Sequence, residues 1–386
     1  MKLMKLDINK NIYSEEKKLI EKLSIIKKKD RNSSFELLRI ILITLIVLHH
    51  IFINTISLKN IKRYNCNWKY ILLRIISNYG PFGNNVFIMI SGYFSVSKTV
   101  FNLNKFLSIL LEIYTYYYPS ILIGKQLSLQ YRNVKFPNYS NFKIYFPNLT
   151  GNGNWFAQIY LCLLIFTPFI NIGLLSLNKK KYTELVIFII IFYCIFNPIT
   201  QFYNLNSIIF STTPFIRLLL PYIIGGYIKI YDLKNKLLWK IIGISYFILS
   251  IFSEIFFDRM SCNYKNFNFI LFKLYLTYNM DSFFSIIGSM GLIYIFKSIN
   301  FHNKKINWVS ASALGIYLIH GNKHITPYVY NIWLKTNNIN EKYFFFKYIF
   351  KGFLIITLSL VIDIIRRYSI GLALNKIIKL IVILIY

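Results

Sequence analysis

Residues 35–50 read FELLRIILITLIVLHH, an almost continuous apolar run that nevertheless contains charged and titratable side chains. Such side chains are costly to place in lipid, so their presence in this run indicates a chemical site. Eleven helical residues return to within about 20° of their starting direction, so Arg39 and His50 share one face, about 16 Å apart along the axis. Glu36 lies within about 60° of that face, whereas His49 points roughly 80° away from it.

The composition predicts an all-α integral membrane protein. Of the 386 residues, 55% are hydrophobic and 15% are charged, and the mean hydropathy is +0.47, which is more apolar than a typical soluble domain. Apolar runs near the length of a membrane-spanning helix predict about ten transmembrane helices. The runs are about 36–56, 80–97, 104–124, 154–176, 183–200, 214–231, 238–257, 282–298, 309–326 and 347–366.

The net charge of +31 would suggest nucleic acid in a soluble protein, but here the lysines and arginines cluster between apolar runs. We interpret them as topology signals and lipid headgroup contacts, and expect no nucleic-acid partner. A general enrichment of the chain in Lys, Asn, Ile and Tyr remains an alternative explanation. The basic triplet 179–181 and the uncharged stretch 201–213 place both termini in the cytoplasm. The prediction is therefore a multi-pass protein of the cell membrane.

Three parts are expected along the chain. Residues 1–35 form a basic cytosolic arm, which is polar and contains no apolar signal-peptide core. Residues 36–367 form the transmembrane domain. Residues 368–386 form an apolar and basic tail, too short and too charged for a clear crossing, which we expect to lie at the membrane interface.

An ordered set of motifs runs through the transmembrane part. It consists of ELLR at 36–39 followed by His50, GNNVFIMISGYF at 83–94, NWF at 154–156 with TPFIN at 167–171, PYIIGGY at 221–227, Ser310 with GIYLIH at 315–320, and Asp363 with Arg366. In order and spacing this set resembles the membrane acyltransferase 3 family, which includes O-acetyltransferases of bacterial surface polysaccharides. The resemblance covers roughly residues 31–367.

The resemblance implies an O-acyltransferase, most often an O-acetyltransferase, acting on a cell-surface or exported glycan. Its donor would be acetyl-CoA or another acyl-CoA, which is a substrate and not a bound cofactor. Its partners would be acyl-CoA, the glycan acceptor, the lipid bilayer and proteins of glycan assembly.

A sugar hydroxyl is a poor nucleophile at neutral pH, so transfer from a thioester needs a base within hydrogen-bond reach. We assign that role to His50, with Arg39 as a partner for anionic donor groups and Glu36 as the partner of Arg39. The alternatives are a core histidine bonded to a neighbouring helix and an internal Glu36–Arg39 ion pair that makes insertion tolerable. His49 is interpreted as a core residue.

Three further residues are candidates for binding the substrate or the donor. Asn85 and Ser91 belong to the second-span motif. Tyr317 and Ser310 are expected to share a face of the ninth span to within about 20°, with His320 about 60° from Tyr317, so these residues would complete a polar cavity. A packing role is equally open for each of them.

One segment departs from the family pattern. Many relatives carry a paired-arginine RxxR element just after the second span, where this chain offers Lys98 and Lys105. Lysine binds phosphate as a point charge and lacks the bidentate fork of arginine. No metal or redox site is expected, because the four cysteines form no CxxC pair and have no histidine at ligand spacing.

Two other functions fit a polytopic protein with charge inside the membrane. The first is a carrier or flippase for a lipid-linked glycan or an acyl group. The second is a catalytically silent assembly subunit. For the enzyme itself, direct transfer without a covalent intermediate is the preferred hypothesis, and an acyl-histidine intermediate stays open.

Overall fold

The computed structural model describes residues 32–55, 68–131, 154–196, 213–233, 235–264, 279–334 and 342–385. The regular structure of these residues is helical and contains no strand, which confirms the predicted all-α class. The α-helices are α1 (Ser33–Thr55), α2 (Trp68–Ser95), α3 (Leu103–Gln130), α4 (Trp155–Ser176), α5 (Lys179–Ile189), α6 (Pro214–Tyr231), α7 (Lys236–Tyr264), α8 (Phe283–Ser298), α9 (Lys304–Ser310), α10 (Ala313–His320), α11 (Phe344–Tyr368) and α12 (Ile370–Ile385). Two π-helical segments, Ile190–Phe196 and Tyr328–Trp333, lie after α5 and α10.

Five of the helices in the described residues are long and apolar enough to cross a membrane. They are Ser33–Asn54, Leu103–Gln130, Trp155–Ser176, Lys236–Met260 and Phe344–Tyr368. Each of the ten apolar runs of the sequence overlaps at least one helix. The protein is therefore a helical membrane protein, whereas the count of ten crossings and the cytoplasmic placement of both termini remain predictions. The arm up to residue 31 lies outside the described residues.

The ninth run is not one continuous helix. Helix α9 ends at Ser310 and α10 begins at Ala313. The backbone N–H of Ser312 turns back to the carbonyl of Val309 at 3.0 Å, which closes α9 with a tight last turn. The predicted angle between Ser310 and Tyr317 assumed an unbroken helical path, which this turn interrupts.

Helices α1 and α2 lie at the centre of the bundle and pack against each other. Helix α2 also contacts α6 so closely that the two backbones touch. A Cβ added at Gly92 would lie 2.1 Å from the carbonyl oxygen of Tyr222, and one added at Gly225 would lie 2.1 Å from that of Met89. Small residues at such crossings allow close packing of membrane helices. The glycines of the second-span and sixth-span motifs therefore fix the α2–α6 contact.

Buried charge joins α2 to α7. Arg74 forms ion pairs with both Glu254 and Asp258, and all three side chains are almost completely buried. Asn78 donates a further hydrogen bond of 2.9 Å to Glu254. Because an unpaired charge would be very costly in this environment, the cluster specifies how these two helices pair.

Candidate functional site

A cavity of about 1240 Å³ lies in the bundle, somewhat larger than the roughly 300–1,000 Å³ of typical ligand pockets. It is bounded by helices α1, α2, α4, α9 and α10 and by the ends of α3, α6 and α8. Its polar lining residues are Asn32, Glu36, Arg39, Asn84, Ser91, Tyr93, Ser95, Lys98, Lys105, Tyr160, Lys229, Lys297, Asn300, His302, Ser310 and Tyr317. Four of the predicted site residues, Glu36, Arg39, Ser91 and Tyr317, are thus brought to one cavity.

One end of the cavity is strongly basic, and we call it the mouth. It is formed by Lys98 after α2, Lys229 near the end of α6, Lys297 near the end of α8, and His302. The ammonium groups of Lys229 and Lys297 lie 5.0 and 5.8 Å from the centroid of the Tyr93 ring. Cations from three separate segments therefore converge on one opening.

One carboxylate partly neutralises the mouth. Asp232, just after α6, accepts a hydrogen bond of 2.8 Å from Lys297 and one of 3.0 Å from Tyr294. Burial acts to raise the pKa of Asp232, but hydrogen bonds from Lys297, Lys236 and Tyr294 lower it to about 2. Asp232 is therefore ionised at neutral pH and holds Lys297 in place, and the charge of the mouth stays positive.

A second polar layer lies deeper, at Arg39. The Arg39 guanidinium donates to Glu36 at 2.6 Å, and the second oxygen of Glu36 accepts from the Ser310 hydroxyl at 2.6 Å. The predicted partnership of Glu36 and Arg39 is therefore present. Glu36 is buried and bonded on both sides, whereas Arg39 is partly exposed to the cavity and keeps donor groups available for an anion.

A lysine and a tyrosine complete this layer. The Lys105 ammonium donates to the Tyr160 hydroxyl at 3.1 Å, and Ser91 lies 3.4 Å from the same hydroxyl. Because α1 and α2 run antiparallel, with Phe35 stacked on Tyr93 at 5.5 Å, Ser91 lies at about the level of Arg39. We call Arg39, Lys105, Ser91 and Tyr160 the inner polar layer.

The far end of the cavity is apolar and closed by aromatic rings. Phe156 and Tyr317 meet edge to face with their centroids 5.6 Å apart. Ile46 is the last α1 residue to line the cavity. His50 is the next residue on the same helical stripe, about 6 Å further along the axis, and its ring lies 6.4 Å from that of Tyr317. The predicted base is thus just behind the inner end, not on the cavity wall.

His50 is paired with a second histidine. Its Nδ1 lies 2.7 Å from Nε2 of His320, whose Nδ1 lies 2.6 Å from the carbonyl oxygen of Ile316. A carbonyl can only accept, so the proton of His320 is on Nδ1 and its Nε2 accepts from His50 Nδ1–H. In the neutral pair this leaves the Nε2 lone pair of His50 as the free acceptor, which is the arrangement that a general base needs.

His49 and Asn85 contact neighbouring helices and do not line the cavity. The ring of His49 bonds the carbonyl oxygen of Ser77 at 2.7 Å through Nδ1 and packs on α2, in keeping with a core histidine. Asn85 is fully buried and does not line the cavity. Its amide donates to the carbonyl of Met280 at 2.7 Å and to Ser285 at 3.0 Å, which ties α2 to the start of α8.

Sequence reasoning missed several residues of the site. The basic residues Lys229 and Lys297 stand at the ends of apolar runs, where they read as topology signals. Tyr160 lies near the start of an apolar run, where an aromatic residue is also typical of the membrane interface. The sequence pattern places His320 only near the polar face of its span, because its direct bond to His50 depends on how α10 packs on α1. The signal available was a basic residue at or near the end of the runs 80–97, 214–231 and 282–298.

Comparison with known proteins gives one finding. The model of a protein family described as an acyltransferase domain matches residues 32–364. This range contains the cavity, the mouth, the inner polar layer and both histidines of the pair. No curated protein and no solved structure matches the chain.

Proposed function

Because the chain belongs to the acyltransferase domain family, and is therefore an acyltransferase, we propose that it transfers an acyl group from acyl-CoA to a hydroxyl of a cell-surface or exported glycan. The observation that supports this proposal most directly is the distance between the inner polar layer and the His50–His320 pair. That spacing fits the distance in acyl-CoA between its phosphates and its thioester.

The distance between the inner polar layer and the histidine pair follows from the positions of Arg39 and His50 on α1. Arg39 and His50 are separated by about 16 Å along the helix axis. A pantetheine arm has roughly the backbone length of four to five residues, so it extends to about 15 Å. With its pyrophosphate at the inner polar layer, the donor would place its thioester at the closed end of the cavity, beside Phe156 and Tyr317. The apolar wall between Ile43 and Ile46 suits the uncharged part of the arm.

The charge of the mouth supports the same orientation. CoA carries a pyrophosphate and a ribose phosphate, and phosphate groups bind most strongly to lysine and arginine donors. Lys98, Lys229 and Lys297 offer three ammonium groups in place of a paired-arginine element. The nucleotide end of the donor would therefore lie at the mouth, which we assign to the cytoplasmic side, where acyl-CoA is made.

In the reaction that we propose, the hydroxyl oxygen of the acceptor attacks the carbonyl carbon of the thioester. The hydroxyl proton passes to Nε2 of His50, which acts as general base. The tetrahedral intermediate collapses, the C–S bond breaks, and the imidazolium returns the proton to the leaving CoA thiolate. An O-acyl ester and CoA–SH are produced, with no net change in protons and no covalent enzyme intermediate.

His320 would act as a positioning residue in this step. Its bond to His50 Nδ1 keeps the proton on that nitrogen and leaves Nε2 unprotonated as the base, as the orienting group of a catalytic triad does. Tyr317, which contacts both rings, would separate the pair from the cavity until the donor enters.

The acceptor is the part of the proposal that depends most on motif resemblance. The ordered motifs from residue 36 to residue 366 resemble those of polysaccharide O-acetyltransferases. We therefore expect an enzyme of the cell membrane whose acceptor is a surface or exported glycan. The direct test is NMR of O-acetyl groups on surface glycans purified from cells with and without this protein. Loss of O-acetyl signals without the protein supports the proposal, and identical spectra contradict it.

A further inference from the structure

The Pro-Phe-Ile-Asn motif at the end of α4 has no role in the chemistry described above, yet its asparagine is among the most completely buried polar residues of the protein. Asn171 has no exposed surface. Burying an amide is favourable only when its donors and acceptor are all bonded. The partners of Asn171 therefore show what the motif does.

Both donors of the Asn171 amide bond to the end of α2. The amide nitrogen lies 2.7 Å from the carbonyl oxygen of Ser95 and 2.6 Å from that of Lys98. The Ser95 carbonyl is the last of α2 and lacks a partner within the helix, and the same amide also bonds the Lys98 carbonyl in the turn that follows. The amide oxygen accepts from the Tyr222 hydroxyl of α6 at 2.9 Å, which fixes the orientation of the amide.

The turn that Asn171 holds sets the position of Lys98, one of the lysines of the mouth. Lys98 N–H bonds to the Ser95 carbonyl at 2.9 Å and closes the turn. The Lys98 side chain is exposed and lines the cavity. Asn171 contacts only the backbone of Lys98, so it acts on the position of the lysine and leaves the ammonium free for a ligand.

We propose that Asn171 is a positioning residue that holds Lys98 at the mouth for an anionic phosphate group of the acyl-CoA donor. The inference rests on the proposed function, since it assigns that donor to the mouth. It also links the motifs of the second, fourth and sixth apolar runs through one series of contacts. The glycine contact fixes α2 on α6, Tyr222 of α6 orients the asparagine, and the asparagine fixes the lysine.

A double-mutant cycle with CoA as the probe tests this coupling in the full-length protein in nanodiscs. Lys98→Ala removes the ammonium and leaves its backbone carbonyl in place. We expect Asn171→Ala and Lys98→Ala each to weaken CoA binding about 10-fold, the loss of one charge-assisted contact. The double variant should also lose about 10-fold, because the two residues act through one contact. Additive losses, or an unchanged affinity in Asn171→Ala, would overturn the proposal.

Asn171→Leu offers a second variant of nearly equal size, which loses both N–H donors and should behave as Asn171→Ala does. In the enzymatic assay both variants should raise KM for the donor and leave kcat within about two-fold of wild type. A general loss of folding would instead lower the amount of active protein and kcat together, and that result would count against a positioning role.

A measurement without CoA separates this inference from the proposed function. In a chain whose four cysteines are replaced by alanine, Lys98→Cys carries a nitroxide spin label. Asn171→Ala should change an immobilised spectrum to a mobile one, whereas a label at the exposed position Lys180 should keep its spectrum. Equal spectra at position 98 would overturn the inference. A mobile label together with no CoA binding by wild type would support the positioning role and contradict the donor assignment.

Discussion

Nδ1 of His50 on α1 and Nε2 of His320 on α10 lie 2.7 Å apart, although 270 residues separate them in the chain. The His320 ring is fixed in turn by its Nδ1–H, which donates to the carbonyl oxygen of Ile316. Two histidines arranged in this way have one free lone pair, on Nε2 of His50. The pair therefore combines a base with the group that orients it, as the triad principle requires, without a carboxylate.

His320→Ala should lower kcat by about 10- to 100-fold, the loss seen when the partner that orients a metal-bound histidine is removed, because the orienting group here is likewise a single hydrogen-bond partner. His320→Gln should recover part of this activity, because the amide oxygen can accept from His50 Nδ1–H. Turnover is measured as release of CoA thiol at saturating donor.

The matched control is the double variant His50→Ala/His320→Ala. If His320 acts only through His50, the double variant should be no slower than His50→Ala alone. A further large loss in the double variant would mean that His320 has a separate function.

Lys229→Ala and Lys297→Ala should each raise KM for acetyl-CoA by about 10-fold, because each removes one charge-assisted contact to phosphate. Neither should affect transfer from S-acetylpantetheine, which has the thioester and the arm but no phosphates. Steady-state kinetics with the two donors check this prediction. Lys180→Ala, an exposed lysine outside the cavity, should change neither KM. Equal losses with both donors would contradict the placement of the nucleotide at the mouth.

The sequence predicted the parts of this protein that depend on local pattern. The helical class and the positions of helices followed from apolar runs. The closeness of Glu36 and Arg39 followed from their spacing on α1, and they are bonded at 2.6 Å. These features depend on one helix at a time.

Features that depend on packing between helices could not be predicted in the same way. The break after Ser310 is set by the tight turn at Ser312, and no proline marks it. Asn85 stands in a motif beside Asn84, but only Asn84 reaches the cavity, because helical geometry turns adjacent residues about 100° apart. The convergence of Lys229 and Lys297 requires knowing which helix ends are neighbours.

Gly92→Ala should destabilise the protein by about 1–3 kcal/mol, because the added methyl would overlap the α6 backbone and force the helices apart. The control is Gly173→Ala on α4, where an added Cβ meets nothing within 4 Å. That change should be neutral or slightly stabilising, since alanine favours helix over glycine. Thermal unfolding in detergent gives the comparison. A Gly92→Ala variant as stable as Gly173→Ala would contradict the close backbone contact of α2 and α6.

The central claim is that His50 is the base for acyl transfer to a glycan, and the transfer of labelled acetyl groups tests it most directly. Membranes containing equal amounts of wild-type protein, His50→Ala or His49→Asn are supplied with acetyl-labelled acetyl-CoA, and label in the surface glycan is counted. We expect labelling by wild type, a loss of about 10²- to 10⁴-fold in His50→Ala, as for removal of a general base, and much smaller effects in His49→Asn. Undiminished labelling by His50→Ala would contradict the account.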